Sequence, residues 1–238
     1  MKVLVCCEES QEIAHRFAER GWEAYSCDLL DCSGGRPDLH IKQDVLPLLN
    51  GDCEFDTCDG KHHKIDGKWD LLVCHPVCTF LTTSGNRWFD EEKYGDKARK
   101  RKHDRQDAID FFMSFINADC EHIAVENPIG IMSTQYRKPD QIIHPWMFGD
   151  PFVKNTCLWL KGLPTLEIEC TKKPEIEYKE WIDKRTGKKK RQDMWSYSAL
   201  SNAKTDDERQ RIRSRTFPGI ARAIVEQWGD YLEKEKLY

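Results

Sequence analysis

Two short segments carry residue types able to do chemistry: His75-Pro76-Val77-Cys78 and Val125-Glu126-Asn127-Pro128. Each directly follows an apolar run that reads as a buried parallel strand. Asp70-Leu71-Leu72-Val73-Cys74 precedes the first, and His122-Ile123-Ala124-Val125 precedes the second. In an open α/β sheet, ligands collect at the carboxyl ends of the strands. A thiol after one strand and a carboxylate after another therefore face one crevice. Covalent attack on a pyrimidine ring needs that pair, a thiolate to add and an acid to protonate.

The elements that must hold these residues are readable around them. Lys2 to Cys7 reads as a strand, and Ser10 to Arg20 as a helix with Ile13, Ala14 and Phe17 at helical spacing. Gly21 then turns the chain into a strand from Glu23 to Asp28, which completes half of a nucleotide-binding βαβ unit. A loop covers 32–37, and a short element ends near Asp44-Val45. Residues 51–68 predict a hairpin inserted before the strand at 69–74. Residues 79–103 read as a long polar loop with Ser84-Gly85 as a hinge. A helix follows from Gln106 to Ile116, then the strand ending at Glu126 and another from Asn155 to Leu160. Residues 167–213 lack clear periodicity, and 218–228 form an amphipathic helix with Pro218 at its start. Strand–helix alternation predicts an α/β fold: a doubly wound, mostly parallel, Rossmann-like sheet. Residues 1–166 and 214–238 make its core, and 167–213 a small late insertion.

A chain of 238 residues can bury one substantial core. No apolar run approaches the roughly 20 residues of a membrane span, and the mean hydropathy is −0.71. The N-terminus runs from Lys2 through apolar residues into Glu8-Glu9 with no small-residue cleavage site, so it reads as a first strand and not a signal peptide. Eleven cysteines make an odd count that suits a disulfide framework poorly. Cys6, Cys7, Cys27, Cys74 and Cys157 sit in apolar runs where a free thiol packs as a small hydrophobe, which predicts a reduced, cytoplasmic protein. Cys53, Cys58, His62 and His63 invite a zinc reading. Zinc prefers tighter, paired spacings, and adjacent histidines rarely bind one ion, so a polar hairpin is expected there and no metal site.

The net charge of −4 argues against a generic nucleic-acid binder, but the basic residues are clustered. They lie at 97–102, at 184–185 with 188–191, and at Arg209, Arg211, Arg213 and Arg215. Such islands read either as a local phosphate-binding face or as solvated helix faces and a loop.

The order of these motifs resembles the small DNA cytosine-5 methyltransferases, in particular the short phage and prophage proteins of that kind. The matching segments are His75 to Ser84, Val125 to Ser133, Lys154 to Pro164 and Phe217 to Trp228, with the N-terminal βαβ unit. The resemblance implies that Cys78 adds to C6 of cytosine and that Glu126 holds N3 and the exocyclic amine. C5 then takes the methyl group of S-adenosylmethionine, and Cys78 leaves. Asn127 would fix the turn after Glu126. A nearby helix N-terminus would lower the Cys78 thiol pKa, and burial would raise that of the Glu126 carboxyl. The cofactor would be held by Asp28 on its ribose, Asp44 near the adenine amine, and Glu8, Ser10 and Pro76. An enzyme of this kind flips its base out of the duplex. The loop 79–103 would close over that base, with Arg87, Arg99, Lys100, Arg101 and Lys102 on phosphate and Asn86 or Trp88 in the vacated stack. Lys188, Lys189, Lys190 and Arg191, with Trp181, Trp195 and Tyr197, would face DNA. A bacterial or phage-infected cytoplasm is the implied setting. Two departures stand out. The family usually has a second proline where this chain has Val77, and no Gly-x-Gly-x-x-Gly follows the first strand. Two other readings stay open: a non-catalytic DNA-binding protein on the same scaffold, or an enzyme acting on a free pyrimidine nucleotide.

Overall fold

The computed structural model describes residues 1–237, apart from the side chains of Ser84, Ala199, Leu200, Asp206, Asp207 and Gln210. Its strands are β1 (Lys2–Cys6), β2 (Glu23–Asp28), β3 (His40–Lys42), β4 (Cys53–Asp56), β5 (His62–Ile65), β6 (Leu71–Cys74), β7 (Ile123–Asn127), β8 (Gln141–Ile143), β9 (Thr156–Lys161), β10 (Tyr178–Ile182) and β11 (Lys189–Asp193). Its helices are α1 (Glu12–Glu19), α2 (Glu91–Tyr94), α3 (Asp96–Ile116), α4 (Met132–Gln135), α5 (Met194–Asn202), α6 (Asp206–Ser214), α7 (Pro218–Ala223) and α8 (Gly229–Glu235).

Seven strands form one sheet in the order β3-β2-β1-β6-β7-β9-β8. β1 pairs in parallel with both β2 and β6, and β6 in parallel with β7. β9 alone runs against its neighbours. The chain thus departs from β1 in both directions, and the crevice between the carboxyl ends of β1 and β6 is where such sheets take ligands.

Side chains alternate across the sheet, and both faces are apolar. Val3 and Val5 face one core, where Ile13, Ala14 and Phe17 of α1 meet Ile220, Ala221 and Trp228. Leu4 and Cys6 face the other, with Phe112 and Phe115 of α3 and Trp159 of β9. Each Val, Leu, Ile or Phe among them contributes about 1.5–3 kcal/mol on full burial. Cys27, Cys6 and Cys74 lie side by side across β2, β1 and β6. Burial pushes all three thiols above the ordinary range, as expected of packing residues.

The expected hairpin before β6 is present as antiparallel β4 and β5. Elsewhere the structure departs from the sequence reading. The expected long loop 79–103 is largely helical, because α3 begins at Asp96, ten residues before the apolar periodicity starts. Its first turns present only Ala98 to a core and are supported by ion pairs along the helix, Lys100 with Asp104 at 3.0 Å and Arg99 with Asp96. Residues 167–213 hold the β10–β11 hairpin and the capped helices α5 and α6. The final helix passes through a π-helical turn, Ile224–Trp228, before α8. Trp228 is buried there and donates its indole N–H to the Pro164 carbonyl at 2.9 Å.

Candidate active site

Parallel pairing dictates which residues meet at the carboxyl edge of β6 and β7. Val73 is level with Ala124 and Cys74 with Val125, so one step on His75 meets Glu126, and the next brings Pro76 level with Asn127. Both contacts form. His75 Nδ1 lies 3.3 Å from Glu126 Oε2, and Asn127 donates its side-chain N–H to the Pro76 carbonyl at 2.8 Å. His75, Glu126, Lys154 and Thr156 border a cavity of about 20 Å³, floored by Phe217, Ile220, Ile224 and Trp228. That is room for about one water molecule.

Cys78 stands just beyond, its carbonyl accepting from Leu81 N–H at 3.0 Å and Thr82 N–H at 3.1 Å. Asn127 on one side and these turn bonds on the other hold the loop. Val77 points outward and is 50% exposed. With Phe80 it borders an open groove against Lys100, Asp104 and Phe111 of α3.

The protonation states are the reverse of those expected. Burial pushes the Cys78 thiol up, and the Glu126 charge adds to that, while Lys154 and Arg213 pull it down. Thiol and carboxylate therefore share one electrostatic neighbourhood, with two cations at its rim. Burial also works against Glu126 ionisation, but the His75 hydrogen bond and the Lys154 charge outweigh it and hold the carboxyl below its ordinary range. Lys154 and Arg213 were not singled out as site residues in the sequence reading. The signal for Lys154 lay in its place at the head of a matching segment, and for Arg213 at the end of a basic island.

At the neighbouring edge, Asp28 and Asp44 come together around Cys7, whose thiol their charges help raise after burial and Cys6. Both acids also stabilise local turns. Asp28 Oδ1 accepts from Leu30 N–H at 2.9 Å, and Asp44 Oδ1 from Leu46 N–H at 3.1 Å. Burial pushes the Asp28 carboxyl up despite that bond. The turn after β1 lacks glycine, yet Cys7 and Gln11 both take left-handed backbone with φ of 60°. The conformation that glycine usually provides is thus present, at a strain cost of about 1–3 kcal/mol each. Gly34 packs so closely on this turn that a Cβ would lie 2.5 Å from the Ser10 carbonyl oxygen.

Glu8 has a different job from the expected cofactor contact. It is 3% exposed, and its two oxygens accept from Ile13 N–H at 2.8 Å and Ala14 N–H at 3.2 Å. It fills the N-terminus of α1, where an anionic group would otherwise sit. Burial lifts its carboxyl to about 7, although the charge of His75 pulls the other way. Asp28 and Asp44 thus share one edge of the sheet with Cys7, whereas the α1 N-terminus is occupied by the chain itself.

Most cations at the start of α3 take partners within the chain, although Lys97, Arg99, Lys100 and Lys102 stay exposed. Arg101 donates to the Thr79 carbonyl at 3.1 Å, and Arg105 to the Phe80 carbonyl at 2.9 Å and to Asn86 Oδ1 at 2.8 Å. Arg105 also stacks 3.4 Å from the centre of the Phe89 ring. Arg99 and Lys102 both pair with Glu91, and Lys100 with Asp104. These cations clamp the segment 79–90 and balance local acids. Arg87 lies over Trp88, 4.7 Å from its ring centre, and Trp88 is 42% exposed. On the late hairpin, Lys189 pairs with Glu180 and Lys190 with Asp183, while Arg191 lies over Tyr178.

Of the residues considered for zinc, His63 stacks on Phe55 and lies 2.9 Å from the Tyr25 hydroxyl, while His62 pairs with Asp56. Among the described residues, no group of three or more His, Cys, Asp or Glu side chains is arranged to hold a metal ion. Among them too, no helix is long and apolar enough to cross a membrane. No protein-family model matches this chain, and no curated protein matches it either.

Proposed function

We propose that the protein transfers a methyl group from S-adenosylmethionine to C5 of cytosine in DNA through a covalent bond between Cys78 and C6. In this reading the sheet is a doubly wound, Rossmann-like scaffold, and 167–213 is an insertion that meets DNA. The observation that carries it is the shared field of Cys78 and Glu126 at the carboxyl edge of β6 and β7, with Asn127 bonded to Pro76 across the two strands.

S-adenosylmethionine, when bound, supplies the electrophilic methyl group. Asp28 and Asp44 would hold its adenosine end. Cys78 releases its proton to solvent and bonds through Sγ to C6, the Lys154 and Arg213 charges opposing the cost that burial and Glu126 place on the thiolate. Glu126 grips N3 and the exocyclic amine, and a proton on N3 offsets the charge that develops in the ring. Asn127 keeps the cysteine loop at a fixed distance from Glu126. Loss of the C5 proton and expulsion of Cys78 then restore the aromatic ring.

The direct test is transfer of tritiated methyl from S-adenosylmethionine to mixed-sequence duplex DNA, with Cys78→Ser in parallel. Label recovered as 5-methylcytosine, and lost in the variant, supports the assignment of reaction, cofactor and nucleophile together. The raised Cys78 thiol and the filled α1 N-terminus favour a second reading, a non-catalytic DNA-binding protein on this scaffold. DNA binding without label or cofactor binding would select it.

A further inference from the structure

His75 is the polar residue of the site with no role in the chemistry above, and its surroundings are unusual. Its side chain is 10% exposed, and it faces a carboxylate from another strand. Glu126 on β7 meets its Nδ1 at 3.3 Å, and Glu8, from the turn after β1, lies close enough for the two charges to interact. Its Nε2 is buried with no hydrogen-bond partner. An imidazole with one nitrogen on a carboxylate and the other idle in a cavity is a poor packing residue, because an orphaned polar atom costs about 1–3 kcal/mol. Beyond these two acids, the charged groups facing the cluster are Lys154 before β9 and, around Cys78, Arg213 at the end of α6.

We propose that His75 is a positioning residue that hands Glu126 the proton which Glu126 lends to the pyrimidine ring. The inference rests on the methyl-transfer reading. It answers a difficulty within that reading, since Glu126 is held ionised at rest and an ionised carboxylate has no proton to give.

The proton balance closes without any further reactant. The relay starts from imidazolium and carboxylate. When a flipped base closes the cavity, the ion pair loses solvation and the neutral pair gains relative to it. The Nδ1–H bond of His75 breaks as an O–H bond forms on Glu126, and that O–H bond breaks as N3–H forms. When the adduct collapses, the proton returns from N3 to Glu126 and then to His75. No electron changes hands and no proton is consumed.

Two measurements test this, and they fail in distinguishable ways. The first is the titration of His75 by ¹⁵N-histidine NMR in the protein without DNA, for wild type and Glu126→Gln. Removing the Glu126 charge is expected to lower the His75 midpoint by about one unit or more. The second is the pH profile of methyl transfer for wild type and His75→Gln. Wild-type turnover is expected to fall on the alkaline side at the His75 midpoint, and His75→Gln to lose that limb and about tenfold or more in rate. A His75 midpoint unmoved by Glu126→Gln overturns the relay whatever the enzyme does. So does a His75→Gln variant with the wild-type pH profile. If His75 and Glu126 titrate together but wild type moves no methyl at any pH, the methyl-transfer reading falls and the relay falls with it.

Discussion

At the carboxyl edge of β6 and β7, polar groups are buried and bonded to partners some fifty residues away: Asn127 to Pro76 and Glu126 to His75. Between 167 and 213 they stand in solvent and pair within one hairpin, Lys189 with Glu180 and Lys190 with Asp183. In the first region a lost partner leaves a desolvated group behind, so geometry is enforced. In the second, water replaces the partner, so the charges stay available to whatever else approaches. A site that makes bonds to a substrate needs the first arrangement. A surface that meets a polyanion is served by the second.

The comparison breaks first at Glu8. Its carboxyl sits at about 7 in the fold against an ordinary 4.5, with burial the main cause. The folded protein therefore keeps this proton to higher pH than the unfolded chain. The stability it brings is full below 4.5 and is lost as pH rises towards 7. Gln cannot ionise, so the stability of Glu8→Gln relative to wild type should climb by about 3 kcal/mol across that window. Urea unfolding of both proteins at pH 4.5 and pH 8 checks this, and parallel pH dependences would contradict it.

The next effect is smaller. Asn127→Ala removes the donor to a buried carbonyl, and a loss of about 1–3 kcal/mol is expected in chemical denaturation. Because the same bond holds the Cys78 loop against β7, methyl transfer should fall further than stability explains. A variant that unfolds earlier yet retains wild-type turnover would separate the two roles of Asn127.

Lys189→Ala and Lys190→Ala should give the smallest change in the fold, with unaltered melting temperatures. They should weaken DNA binding uniformly across sequences and lower the slope of log K against log salt by about one per lysine. An unchanged slope would mean that the hairpin does not meet phosphate.

How much of this was readable in the sequence follows the same division. β1, β2, β6 and β7 are apolar runs and α1 an amphipathic one, and their pattern sets their position. α3 was half visible. Ile109, Phe112, Met113 and Ile116 announce the second half, but the first half buries only Ala98 and is held by ion pairs and by Arg101 and Arg105 clamping the preceding segment. Such contacts leave no period in the sequence. The meeting of His75 with Glu126 depends on pairing between strands some fifty residues apart, which no local pattern encodes. The protonation states were misjudged for a related reason. Burial was anticipated for Glu126, but the His75 bond and the Lys154 charge, which reverse its effect, come from other elements.

The central claim is that Cys78 forms a bond to a cytosine ring. It is tested most directly with duplex DNA in which 5-fluorocytosine replaces cytosine, since fluorine at C5 blocks the proton loss that releases the enzyme. Incubated with S-adenosylmethionine and resolved under denaturing conditions, the protein should migrate as a covalent protein–DNA adduct whose cross-linked peptide contains Cys78. Cys78→Ser should form none. DNA that binds without forming an adduct, or an adduct that persists in Cys78→Ser, would contradict the account.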